Sequence, residues 1–169
     1  MADQQKSNER PILIVDDEPE ILVAVDTTLR MAGLDNIITV GDSRDVIRLM
    51  ERQIPRLILL DLNMPHINGG RLLQIIRKTW PRIPVIVLTG AIDVDTAVRC
   101  MKIGAVDYVV KPVEEVRLLA AVNLALDYEN LTDADKKGPP KDLFSQIKNP
   151  AAFRLSLIHI SEPTRLRRI

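Results

Sequence analysis

Five short apolar runs recur along the first 110 residues of this chain, at 12–15, 36–40, 56–60, 84–88 and 106–110. They are rich in Ile, Val and Leu and nearly continuous rather than alternating. That pattern belongs to strands buried on both faces, as in a parallel sheet covered by helices. Between and after them, apolar residues return at helical spacing. Ile21, Leu22, Val25, Leu29 and Met31 form one stripe, and Val46, Ile47, Leu49 and Met50 a second. Leu72, Leu73, Ile75 and Ile76 form a third, Val94, Ala97, Val98 and Met101 a fourth, and Val113, Val116, Ala120 and Leu124 a fifth. Strand–helix alternation repeated five times predicts a doubly wound α/β domain.

The punctuation agrees with these elements. Gly33, Gly41 and Gly104 fall where helices or strands should end, Pro19 falls near the start of the first helix, and Asn68-Gly69 offers an N-cap for the third. After Asp127 the periodicity gives way to a polar stretch ending in Gly138-Pro139-Pro140, which cannot continue a helix. The expected organisation is therefore a disordered N-terminus over 1–10, one domain over 11–128 and a linker over 129–154.

Composition narrows the classes. The 169 residues are 46% hydrophobic but only 3% aromatic, so the core must be aliphatic. Lys plus Arg and Asp plus Glu both number 23. Residues 11–127 hold 13 basic against 16 acidic side chains, which leaves the body slightly negative and gives no footprint for nucleic acid. A single cysteine, Cys100, allows no internal disulfide and fits a reducing compartment. No apolar run is long enough to span a bilayer, and the first ten residues lack the apolar core of a secretion signal. The expectation is a soluble cytoplasmic protein with no membrane contact. Cys100 and Trp80 are expected to serve packing, Trp80 by covering a helix end.

The candidate chemistry lies at the strand ends. Parallel strands bring their C-terminal ends to one edge, and open α/β sheets bind ligands there, where the strand order reverses. In the common order 2-1-3-4-5 the reversal lies between the first and third strands, which end in Asp16-Asp17 and Asp61. Thr89 closes the fourth strand and Lys111 the fifth. Any one of these is an ordinary strand-end residue; a full set on four strands is a chemical pattern. Converging carboxylates repel, by about 4 kcal/mol for two charges ~4 Å apart at an effective dielectric of 20. A hard cation relieves that, and Mg²⁺ commonly bridges one or two carboxylates to a phosphate. The expected Mg²⁺ ligands are the Asp17 and Asp61 carboxylates, Asp16 through water, and the backbone carbonyl of Asn63. Asp61 is the expected nucleophile toward phosphorus, with Lys111 and Thr89 binding the phosphoryl oxygens.

The strings Val15-Asp-Asp-Glu18, Leu60-Asp-Leu-Asn-Met-Pro65 with Asn68-Gly69, Leu88-Thr-Gly90 and Gly104-Ala-Val-Asp-Tyr-Val-Val-Lys-Pro112 resemble the receiver domain of two-component response regulators. The resemblance runs from Pro11 to about Tyr128. It implies a flavodoxin-like five-stranded parallel sheet in the order 2-1-3-4-5 with five helices. It implies that Asp61 is phosphorylated by a sensor histidine kinase, and that Thr89 and Tyr108 form a switch pair. The protein would then be a phosphoacceptor, catalysing only its own phosphorylation and dephosphorylation. Gly90 departs from the more usual Ala without removing a ligand. Residues 93–104 look most like receivers attached to AAA+ transcription activators that work with an alternative sigma factor. Such receivers dimerise through the fourth helix, fifth strand and fifth helix, and direct contact of this portion with nucleic acid is not expected.

Two other classes share parts of this pattern. A haloacid dehalogenase-type phosphatase also combines Asp, Thr and Lys with Mg²⁺, but it carries Asp-x-Asp with its nucleophile after the first strand. Here that string is Asp16-Asp17-Glu18, and the best acceptor follows the third strand. A stand-alone receiver acting by protein contacts alone is disfavoured because no site group is missing. Finally, Leu155-Ser-Leu-Ile-His-Ile-Ser-Glu-Pro-Thr-Arg165 reads as the in-frame translation of a transposon-end sequencing adapter. Residues 155–169 are therefore expected to be non-native and to take no part in the fold. A genomic read continuing through these codons is the result that would overturn that expectation.

Overall fold

The structure is a computed structural model and describes residues 10–90 and 94–135. The expected linker beyond residue 135 and the expected adapter-derived tail lie outside the described residues, as do residues 1–9. In chain order the elements are β1 (Ile12–Val15), α1 (Pro19–Met31), β2 (Ile37–Val40) and a short 3₁₀ turn (Ser43–Asp45) leading into α2 (Val46–Arg52). There follow β3 (Leu57–Asp61), α3 (Gly69–Thr79), β4 (Val85–Thr89), α4 (Val94–Ile103), β5 (Asp107–Val110) and α5 (Glu115–Asp135). The five strands form one parallel sheet in the order β2-β1-β3-β4-β5, as expected.

Alternation along the strands builds two cores. Leu13, Val15, Ile58, Leu60, Val85 and Val87 face α2, α3 and α4, and pack with Val46, Met50, Leu72, Leu73, Ile76, Ala97 and Cys100. Ile12, Ile14, Leu57, Leu59, Ile86 and Leu88 face α1 and α5, and pack with Val25, Leu29, Leu118, Val122 and Leu126. Fully burying each large aliphatic side chain stabilises by about 1.5–3 kcal/mol. The near-continuous apolar pattern holds for β1, β3 and β4, every residue of which is buried. The outer strands β2 and β5 are only partly buried, because each has one neighbour. Cys100 packs in the first core, and Trp80 packs against that core at the end of α3, both as expected.

The fifth helix corrects the sequence reading in two ways. Val116, expected to face inward, is 82% exposed, and Leu124 is also exposed. The inward face is instead Leu118, Ala121, Val122, Ala125 and Leu126. From Val116 to Leu126 nine of eleven positions are apolar, so two stripes fit the helical period equally well. Met31, at the last position of α1, is likewise 80% exposed. The helix also continues to Asp135, past the expected boundary at 128. Tyr128 and Glu129 are buried, and Glu129 pairs with Arg10 at 3.1 Å and with Arg56 at 3.4 Å. Arg10 also donates to the Pro55 carbonyl at 2.8 Å, so it belongs to the packed body rather than to a disordered end. A charged residue inside the fold hid this last turn from a hydrophobic pattern.

The edge strand β5 is braced at Tyr108. Asp107 Oδ1 accepts from the Tyr108 N–H at 2.7 Å, and Arg117 donates to the Tyr108 carbonyl at 2.8 Å while pairing with both Asp107 oxygens. Such pairing covers backbone groups that an edge strand otherwise leaves open.

Candidate functional site

The site is assembled at the C-terminal edge of the sheet, at the order reversal between β1 and β3. Asp61 is the last residue of β3 and is only 1% exposed. Asp16 follows β1 directly and is 0% exposed. Asp16 Oδ1 accepts from the Glu18 N–H at 2.9 Å, which fixes the turn into α1, where Pro19 begins the helix. Lys111 follows β5, and its N–H donates to the Thr89 carbonyl at 2.8 Å. Its Nζ lies 2.6 Å from Asp16 Oδ2, 3.0 Å from Glu18 Oε1 and 3.5 Å from Asp61 Oδ1.

The other expected residues lie on β4, on β5 and in the segments that follow β1 and β3. Thr89 ends β4 and is buried, one position beyond the Leu88 that pairs with Asp61. Tyr108 is opposite Val87 on β5, and its buried side chain packs in the first core. The Asn63 N–H donates to Asp61 Oδ1 at 3.2 Å. Asp17 is half-buried and stands outside the carboxylate cluster, which consists of Asp16, Glu18 and Asp61 with their oxygens within 4.8 Å of one another. Glu18 is a member of the cluster that the strand-end pattern does not assign, and its two-residue spacing from Asp16 is the signal that finds it.

Electrostatics set Asp61 apart. Burial, then the neighbouring Asp16 charge, push its carboxyl up to about 6 from an ordinary 3.8, against the opposing pull of Lys111 and the Asn63 N–H. For Lys111, burial alone would lower the pKa. Hydrogen bonds to Asp16 and Glu18, with the charges of Asp16 and Asp61, outweigh it and leave the ammonium above its ordinary value. Asp61 Oδ2 is buried without a hydrogen-bond partner. A buried carboxylate oxygen in that condition is costly, and a bound cation satisfies it. The donor set, oxygen only and carboxylate-rich, suits Mg²⁺, and receiver domains generally bind Mg²⁺ at such an acidic site.

The loop after Asp61 is held close. Leu62 N–H donates to the Leu88 carbonyl at 3.2 Å, Gly69 N–H to the Leu62 carbonyl at 3.1 Å, and Asn68 Oδ1 caps α3 by accepting from Gly70 N–H at 2.7 Å. Gly69 is required by this approach. A Cβ there would overlap the Asp61 carbonyl oxygen and lie 2.6 Å from Leu62 Cα. Gly69→Ala is expected to cost about 1–3 kcal/mol by overpacking, read as a lower urea midpoint at unchanged m-value. An unchanged midpoint would show that the backbone gives way without cost.

Comparison with known proteins gives a consistent picture. The family model for the response regulator receiver domain matches residues 12–123. The chain is 37% identical over 113 residues to the luminescence regulatory protein LuxO of Vibrio campbellii, a match covering 67% of this chain and 25% of that protein. It is 31% identical over 158 residues to the transcriptional regulatory protein ZraR of Escherichia coli K12, covering 90% of this chain and 36% of that protein. This chain thus spans well under half the length of these curated relatives. Among solved structures, a response regulator receiver domain protein from Clostridium thermocellum superimposes with a TM-score of 0.67 at 33% identity, over 72% of this chain and 98% of that one. No helix among the described residues is long and apolar enough to cross a membrane. With its sheet order, its acidic pocket at the order reversal and a family match across about two thirds of its length, this chain belongs to the receiver domain family of two-component response regulators.

Proposed function

We propose that this protein receives a phosphoryl group on Asp61 from a phosphohistidine of a sensor histidine kinase in the cytoplasm and signals through the Thr89–Tyr108 face. One observation carries the reading. Asp61 is a buried carboxylate at the order reversal, with a second buried carboxylate and an ammonium beside it and one oxygen still unpartnered. An Asp61 Oδ attacks phosphorus, the P–N bond to the donor imidazole breaks, and that nitrogen leaves with the bond's electron pair and takes up a proton. Asp61 and Asp17 would hold Mg²⁺ through their carboxylates, with Asp16 acting through water and Asn63 through its backbone carbonyl. When bound, the ion neutralises charge on the donor phosphoryl oxygens and so lets an anionic nucleophile approach. Lys111 leaves Glu18 to pair with the phosphoryl oxygens, and the Thr89 hydroxyl binds another. Tyr108 already lies inward, on the strand next to Thr89.

The new charge favours whichever arrangement brings Thr89 and Lys111 toward Asp61. Its readout is the surface of α4, β5 and α5, where a second copy of the chain docks. The exposed apolar positions Val94 on α4 and Val116 and Leu124 on α5 support that assignment, since the last two leave α5 apolar on its outer side as well as its inner one. The match to ZraR over 90% of the chain supports a transcription-activator context, with an AAA+ output domain beyond residues 129–154 and no nucleic-acid contact by the receiver itself. The protein turns over no separate substrate.

The test is incubation with acetyl phosphate and Mg²⁺, followed by intact mass. A single, Asp61-dependent and slowly lost phosphoryl group is expected. Repeated rapid hydrolysis of many phosphate esters would replace this reading with a phosphatase.

A further inference from the structure

Ser43 belongs to none of the strand-end groups, yet it is buried and uses its hydroxyl twice on the loop that follows Asp61. Its Oγ donates to the Pro65 carbonyl at 2.9 Å and accepts from the Ile67 N–H at 3.0 Å. Between those two residues lies His66, with φ 70, a left-handed conformation that a side chain other than Gly adopts at a cost. The hydroxyl therefore closes the turn over His66, standing where no direct backbone hydrogen bond is made. Ser43 itself is fixed by a different part of the chain. It opens the 3₁₀ turn after β2, which Asp42 caps by accepting from the Arg44 N–H at 2.9 Å.

The tether matters because of what the loop carries. Residues 62–68 are anchored at the start by Leu62 to Leu88 and at the end by Gly69 to Leu62. The middle, with Asn63 two residues before Pro65, is tied across to the β2 side of the domain by Ser43. We infer that Ser43 is a positioning residue for the phosphoacceptor site. It holds the Asn63 backbone at Asp61, and through it sets Mg²⁺ affinity and phosphoryl lifetime. This rests on the reading of Asp61 as the acceptor. Groups that orient a metal ligand from behind commonly change metal affinity about 10–100-fold when removed, so Ser43→Ala is expected at the low end, about tenfold.

The experiment compares wild type, Ser43→Ala and Ser43→Thr. Half-saturation of acetyl phosphate labelling by Mg²⁺ should rise about tenfold in Ser43→Ala, with labelling at saturating Mg²⁺ near wild type and a changed decay rate of the phosphoprotein. Amide exchange of Ile67 and Asn63 in the metal-free protein should accelerate, while exchange in β1 and β3 stays as in wild type. Ser43→Thr, which keeps the hydroxyl, should restore Ile67 protection; if its extra methyl disturbs the fold, the metal-free exchange of Ser43→Ala still decides. Wild-type Mg²⁺ half-saturation and lifetime in Ser43→Ala, or unchanged Ile67 exchange, would overturn the assignment of Ser43. Absence of labelling in wild type would instead overturn the acceptor reading, so the two failures are distinct.

Discussion

Asp61→Asn is expected to abolish phosphoryl uptake and, at the same time, to make the metal-free protein more stable. The first effect follows because an amide oxygen is a poor nucleophile toward phosphorus and carries no charge for a cation. The second follows from the raised pKa. Asp61 titrates near 6 in the fold and near 3.8 when free. Between those values the folded state binds more protons than the unfolded one, so stability falls as pH rises through the window. Above it the ionised carboxylate costs at most about 3 kcal/mol, at 1.36 kcal/mol per unit. That ceiling already includes the opposing pull of Lys111, and because the amide still occupies the same buried polar position only part of it is recovered, a net stabilisation on the order of 1–2 kcal/mol at pH 7.5.

The measurement is urea unfolding of wild type and Asp61→Asn without metal at pH 4 and pH 7.5. The two should nearly coincide at pH 4 and separate at pH 7.5, the variant being the more stable. Added Mg²⁺ should then raise the wild-type midpoint and leave the variant almost unmoved, since only a ligand that binds the native site stabilises it. A variant less stable than wild type at pH 7.5 would mean that Asp61 contributes net attraction to the apo fold. Burial of a charge that its neighbours do not fully compensate would then be the wrong description of Asp61.

Much of this site was legible because strand ends are. A buried parallel strand is a continuous apolar run, so the first polar residue after each run marks the edge where ligands bind. Asp16, Asp61, Thr89 and Lys111 are all of that kind. The structure refines them by a single position, since Asp61 and Thr89 are the last residues of β3 and β4 rather than the first beyond. What the pattern could not convey is contact between residues that no periodicity relates. Ser43 reaches Pro65 and Ile67 across 22 and 24 residues. Glu129 reaches Arg56 across 73, and that ion pair extends the body past the point where hydrophobic spacing fades. The fifth helix fails for the opposite reason. It has too many apolar positions, and only packing against Leu57, Leu59 and Ile86 selects the inner stripe.

Lys111→Met tests the electrostatic design most severely. Methionine keeps most of the apolar stem, so the change removes mainly the ammonium that sits among Asp16, Glu18 and Asp61. Two of those carboxylates are buried, and stripping one partner from a buried ion pair commonly costs about 3–5 kcal/mol. The metal-free variant should therefore be heavily destabilised at pH 7.5. The sign of its pH dependence is fixed by the same argument as for Asp61. With the ammonium gone, the downward pull on the Asp61 pKa is lost, so the carboxylate titrates above 6 and the penalty is absent once pH falls toward 4. Unfolding midpoints of wild type and variant should converge at low pH and diverge as pH rises. Mg²⁺ should recover part of the loss at pH 7.5 by replacing one cation with another. Acetyl phosphate should still label Asp61 at high Mg²⁺, but without the Lys111 contact the label should no longer bias the Thr89–Tyr108 face. Equal destabilisation at both pH values, unmoved by Mg²⁺, would show that Lys111 acts through the packing of its stem and that its charge is incidental to the site.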